Sequence, residues 1–187
     1  MTPTIDDRRR LTVLSAIDLD HPELRKRLDE IAERAASRLG RPVGLVSMVL
    51  DTAQFFAGSY GLEGWLAELR GTPIEWSFCV NAVMSGEPYV VPDAAADLVQ
   101  SANPLVTADG VRTYAGVPIV VDGVVLGAHC VLGFSPSEFG PEDLDELRRG
   151  AEEIAEVFDA YRTDERPASP GPDQQGLGDV PDLPVEV

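Results

Sequence analysis

The chain has 187 residues, with 15 basic against 32 acidic side chains and a formal charge of −17, a field that repels phosphate backbones and argues against nucleic acid as a partner. Its two cysteines and two histidines are too few for a disulfide framework or a structural zinc centre. No apolar run is long enough to span a membrane, and the opening MTPTIDDRRRLTVL lacks the order of a signal peptide, so the expectation is a cytoplasmic protein with reduced thiols and no membrane insertion.

Residues 8–19 read as a short helix with Leu11, Leu14 and Ile17 on one side. From Pro22 to Leu39 the apolar positions Leu24, Leu28, Ile31, Ala35 and Leu39 recur at helical spacing, and Gly40 with Pro42 ends the run. The basic runs Arg8–Arg10 and Arg25–Arg27 fall on these two helices beside acidic residues and without aromatic interleaving, which reads as solvated helix face. Lys26 is the only lysine, and neither a phosphate-binding glycine loop nor a distinguished Schiff-base residue is visible.

Two antiparallel strands follow, VGLVSMVL and AQFFAGSYG. After a less regular connection holding Trp65, Ser77 is placed to cap a short helix from Phe78 to Ser85, which Gly86 closes. EPYVVPD is a brief strand, and residues 94–111 read as loop and short helix. Asp122-Gly123 lies between two β-branched runs and predicts a hairpin with a type I′ turn. The last helix opens at Pro141, and Leu144, Leu147, Ala151, Ile154, Phe158 and Tyr161 form a seam that needs a partner, either the sheet or a second subunit. Residues 1–162 therefore read as one α+β domain with a central antiparallel sheet of about five strands, and the proline-, glycine- and acid-rich residues 163–187 as a disordered tail.

The segments QFFAGSYGL, SFCVNAVMSGEPYVVPDAAAD, NPLV, RTYAGVPI and VLGAHCVLG occur in the order and spacing of a bacterial signalling GAF domain, which the chain resembles from about Arg10 to Arg162. The resemblance implies terminal helices on one face of the sheet and, on the other, a small-molecule pocket under loops and short helices. It also implies pairing through the terminal helices. Two departures stand out. Asn81 occupies a position where such domains often carry histidine, and His129 one where an apolar residue is usual. Bilin attachment in the photoreceptor pattern wants a histidine beside the cysteine, and the methionine sulfoxide reductases of this fold use more cysteines in another arrangement.

An unperturbed thiol is mostly protonated at neutral pH, and the carboxylates Glu75 and Glu87 near Cys79 push against ionisation, so local sequence supplies no activated nucleophile. His129 and Cys130 are adjacent on a strand and point to opposite faces, so they form no dyad. Val124, Leu126, Ala128, Cys130, Leu132 and Phe134 read as one continuous core face. On the other side His129 has to be hydrogen-bonded, exposed or a ligand. Asp93 and Asp97 read as turn and helix-start residues. Trp76, Phe78, Cys79, Asn81, Arg112, Tyr114 and His129 are the candidate ligand-binding residues. The function expected is a non-enzymatic sensory or regulatory module that binds a small ligand, a signalling partner protein or both, acts through a separate output protein and forms a homodimer. Its cofactor is left unknown. A redox or haem-dependent sensor using Cys79, Cys130 or His129, and a pure interaction module with a filled pocket, are the alternatives.

Overall fold

The computed structural model describes residues 8–163. Helices α1 (Arg8–Ser15) and α2 (Pro22–Arg38) open the chain. Pro22 fits the first turn of α2, and the His21 ring accepts from the Glu23 amide at 3.2 Å, meeting one of the amides left over at a helix start. Strands β1 (Val43–Val49) and β2 (Ala53–Tyr60) follow, then α3 (Gly64–Leu69) and β3 (Gly71–Pro73). A single 3-10 turn (Ile74–Trp76) leads into α4 (Cys79–Ser85), β4 (Tyr89–Val91) and α5 (Pro104–Thr107). The hairpin β5 (Thr113–Val121) and β6 (Val124–Gly133) and the long α6 (Pro141–Asp159) complete the order. Asp122 and Gly123 take φ of 52° and 73°, the pair of positive values a type I′ turn demands.

The six strands form one antiparallel sheet in the order β3-β2-β1-β6-β5-β4, one strand more than expected. The addition is β3, three residues at the edge beside β2, too short to show an alternation. Helices α2 and α6 pack on one face, α2 over β1 and β2 and α6 over β5. Leu24, Leu28, Ile31, Leu147, Ile154 and Phe158 fill that layer and are almost wholly removed from water. The seam of α6 thus has the domain's own sheet and α2 as its partner. Two ion pairs, Arg34–Glu153 and Arg38–Glu146, tie α2 to α6 along their outer edge.

Strand β6 departs from simple alternation. Ile119 pairs with Gly127 and Val120 with Val125, so Leu126 has no partner on β5 and the register slips by one. Val124 and Leu126 therefore join the helix-side layer with Val131, while Ala128 and Cys130 belong to the opposite layer, and the single apolar face expected from Val124 to Phe134 does not exist. The same slip accounts for Arg10. Expected on a solvated helix face, it is buried at 6 % exposure, and its guanidinium donates to the carbonyls of Val125, Leu126 and Val49, where β6 bulges and β1 ends. Buried carbonyls without ladder partners need such a donor.

After α6 the chain returns to its beginning. Ile17 bridges to Arg162, and the Thr163 amide donates to the Ala16 carbonyl at 2.8 Å. The domain's contacts thus extend to Thr163. The tail expected over residues 163–187 lies, from 164 onward, outside the described residues.

Candidate functional site

The face of the sheet away from α2 and α6 carries a second apolar layer in which α4 lies over β6, with β1 and β5 to either side. Ser77 orders the entry to α4. Its hydroxyl accepts from the Val80 amide at 3.2 Å and donates to Gln54 Oε1 at 2.6 Å, and Gly86 ends the helix with φ 69°. Between this layer and the segments around α3 and α5 lies a cavity of about 440 Å³, within the range of small-molecule sites. Val43, Leu45, Phe56, Phe78, Leu105 and Leu132 supply apolar wall, and Tyr60 and Phe134, 39 % and 54 % exposed, stand at its outer part.

Its polar groups are few. Gln54 is buried on β2, where Oε1 accepts from Ser47 and Ser77 and Nε2 donates to Thr72 at 2.8 Å. One amide hydrogen of Gln54 remains beyond these bonds. Asp109 and Glu63 are the carboxylates of the lining, and Asp109 Oδ1 accepts from the Trp65 indole at 2.8 Å. Among the described residues that line the cavity none is lysine or arginine.

At the inner wall Tyr114 donates its hydroxyl to Cys79 Sγ at 3.3 Å, and Cys79 Sγ lies 3.7 Å from Cys130 Sγ. All three side chains are buried, with 1 %, 2 % and 0 % exposure. The Cys130 hydrogen bond draws the Cys79 thiol below its ordinary value against the opposing effect of burial, and the Tyr114 hydroxyl adds to it. Cys130 is pushed well up by the same bond and by burial, and Tyr114 well up by burial first.

Of the side chains nominated from the sequence, the fold brings Phe78, Cys79 and Tyr114 to this cavity, with the Phe78 and Tyr114 rings 5.2 Å apart. Trp76 and Asn81 line a separate, more open depression beside Gln100 and Asn103. Trp76 ends the 3-10 turn and Asn81 lies within α4. Arg112 forks onto Asp93 with three bonds of 2.8–3.0 Å and is not among the residues lining this cavity. His129 lies on the other face of the sheet, closed in by Gly150 and Ile31, with Nδ1 3.1 Å from the Leu45 carbonyl. It is not among the residues lining this cavity, and its Nε2 is buried without a hydrogen-bond partner among the described residues. Gln54, Asp109 and Glu63 line the cavity and are not among the residues expected from the sequence. Gln54 was findable, since it stands two residues before Phe56 on a strand and so shares its face.

A curated relative, a cyclic di-GMP phosphodiesterase of Pseudomonas aeruginosa, is 34 % identical over 110 residues, which is 58 % of this chain and 18 % of that protein. The chain thus spans under a fifth of the relative's length. Among solved structures, the GAF domain of a phosphoenolpyruvate-protein phosphotransferase from Coxiella burnetii superposes with a TM-score of 0.63 at 17 % identity, covering 81 % of this chain and 93 % of that one. A type II free methionine-R-sulfoxide reductase from Thermoplasma acidophilum gives 0.62 at 13 % identity, covering 78 % and 98 %. Identities this low carry the fold and nothing further.

These comparisons correct one expectation. The sequence reads as a non-enzymatic module, yet the Pseudomonas relative is named a cyclic di-GMP phosphodiesterase, so that expectation is not kept. The GAF domain model matches residues 23–158, and the chain belongs to that family of ligand- or signal-binding modules.

Proposed function

We propose that this domain is the sensing part of a signalling system and that its cavity takes a compact ligand with an apolar or aromatic body and a neutral or cationic head. The observation that carries the reading is the lining itself: an apolar wall, the spare Gln54 amide hydrogen, two carboxylates, and no lysine or arginine among the described lining residues. An apolar wall with a few convergent polar groups is the common form of a small-molecule site. Aromatic rings beside carboxylates suit an organic cation, and the chain's charge of −17 adds to that preference. A nucleotide phosphate would meet Asp109 and Glu63 with no lysine or arginine among the described lining residues to neutralise it.

The Pseudomonas relative's name suggests cyclic di-GMP turnover as the output that such sensing serves. In this reading that output is carried outside the described residues, the protein works in the cytoplasm, and the domain acts on a signalling partner. Pairing with a second copy through the terminal helices belongs to the same reading. It uses the outer faces of those helices, because the α6 seam is spent on the sheet.

Native mass spectrometry of freshly purified protein tests the ligand. The expected result is a retained small-molecule adduct that is lost in Leu66→Trp, where the larger ring fills the cavity from α3. A bare chain in both proteins, or a nucleotide adduct, would overturn the reading.

A further inference from the structure

We propose that Cys79 and Cys130 are a redox pair that closes to a reversible intramolecular disulfide when a hydroperoxide enters the cavity. They are the two cysteines of the chain. They are 51 residues apart in sequence, on α4 and β6, yet their sulfurs stand 3.7 Å from one another inside the layer between helix and sheet. A disulfide needs about 2.05 Å, so closing it asks for a sulfur displacement of about 1.7 Å, within reach of side-chain rotation and a small settling of α4. The inference does not depend on the ligand reading, because it asks of the cavity only that a small oxidant can enter.

Each sulfur has its own place. Cys79 lines the cavity and is the one an entering oxidant meets, while Cys130 lies behind it with no exposure. Cys79 also receives the Tyr114 hydroxyl hydrogen bond at 3.3 Å, which favours its thiolate, the nucleophilic form. The thiolate attacks one oxygen of the hydroperoxide. The O–O bond breaks, the other oxygen leaves as an alcohol or water after taking a proton, and Cys79 becomes a sulfenic acid. Cys130 then attacks the Cys79 sulfur and gives up its proton, the S–O bond breaks and water leaves. In sum two thiols lose two electrons and two protons, and the peroxide is reduced to an alcohol, or water, plus water. A dithiol reductant reverses the link by exchange.

The link also changes the cavity wall. A disulfide sulfur is a poorer acceptor than a thiol or thiolate sulfur, so the hydrogen bond that the buried Tyr114 hydroxyl gives to Cys79 weakens.

The test treats the folded full-length protein with hydrogen peroxide, quenches it, unfolds it and titrates thiols, with non-reducing peptide mapping alongside. The expected result is a fall from two thiols to none, a Cys79–Cys130 linked peptide within one chain, and full recovery with dithiothreitol. Tyr114→Phe should slow the closure several-fold without preventing it. In Cys130→Ala the mapping should find oxygen added at Cys79, and in Cys79→Ala the remaining thiol should titrate unchanged. Two thiols still titrating in the treated parent chain, or linkage only between chains, would overturn the proposal. Should the alanine variants fail to fold, the parent chain's peptide map decides alone.

Discussion

Gly150 of α6 stands where a β-carbon would come within 2.5 Å of His129 Nε2, so helix and imidazole pack together only because residue 150 has no side chain. A glycine-to-alanine change inside an exposed helix gains about 1 kcal/mol. At this position the overlap reverses the sign, and Gly150→Ala is expected to lose about 1–3 kcal/mol, the cost of overpacking a core. Urea unfolding measures it. Combining Gly150→Ala with His129→Ser should recover most of the loss, and a stabilised single variant would show that α6 does not sit where described.

The same imidazole sets a pH dependence. Burial first of all, with Arg34 adding, lowers the His129 pKa from 6.5 to about 4, against the Leu45 carbonyl and the carboxylates Glu146 and Glu153, which raise it. The unfolded chain takes up this proton near 6.5 while the folded chain stays neutral, so stability is full above 6.5 and is lost as pH falls toward 4. Between pH 7.5 and 5.5 the loss is about 1.4 kcal/mol. It should vanish from the pH profile of His129→Gln, in which carboxylate contributions are retained. Equal profiles for the two proteins would mean that His129 titrates alike in the folded and the unfolded chain.

Arg10 closes the bulged end of β6 with bonds to Val125, Leu126 and Val49. Arg10→Met keeps the apolar stem and removes the donors, leaving buried carbonyls unpaired at about 1–3 kcal/mol. Arg8→Met, on an exposed neighbour, should change stability by less than about 0.5 kcal/mol. Chemical denaturation of the two variants side by side gives the comparison, and similar small effects in both would contradict the burial of Arg10.

Gln54 gathers Ser47, Ser77 and Thr72 around one buried amide. Gln54→Met is close in volume and strands these hydroxyls, so it should cost about 1–3 kcal/mol. It also frees the start of α4, since Ser77 then has no anchor on β2, and amide exchange across Cys79–Ser85 should quicken more than exchange in α2. Uniform exchange in the two helices would count against that network.

The parts legible in the sequence are those where a local rule decides. Helix α2 follows from its apolar spacing and Pro22, the hairpin from Asp122-Gly123, and the end of α4 from Gly86. What escaped depends on contacts between distant segments. β3 has three residues and exists only because β2 offers an edge. The slip at Leu126 is set by pairing with β5, and nothing in VVLGAHC marks it, so in sequence the two faces of β6 look like one continuous pattern. Arg10 follows from that slip, being drawn inward by carbonyls 115 and more residues away. In the cavity, Phe78, Cys79 and Tyr114 converge because α4 crosses β5 and β6, while Arg112, one of the seven nominees, is claimed by Asp93. A charged pair across 19 residues of sequence leaves no periodic signal.

The cavity's preference for neutral or cationic heads is tested directly by one thermal-shift screen. Fragments sharing an aromatic body and differing only in an amine, amide or phosphate head are compared on the parent chain and on Leu66→Trp, with cyclic di-GMP in the same plate. A ligand at a hundredfold excess over its Kd adds about 2.7 kcal/mol, which for a domain of this size raises Tm by about 5–10 °C. The expected hits fall in the amine and amide arms and disappear in Leu66→Trp. Hits confined to phosphates or cyclic di-GMP, or shifts that survive the tryptophan, would contradict it.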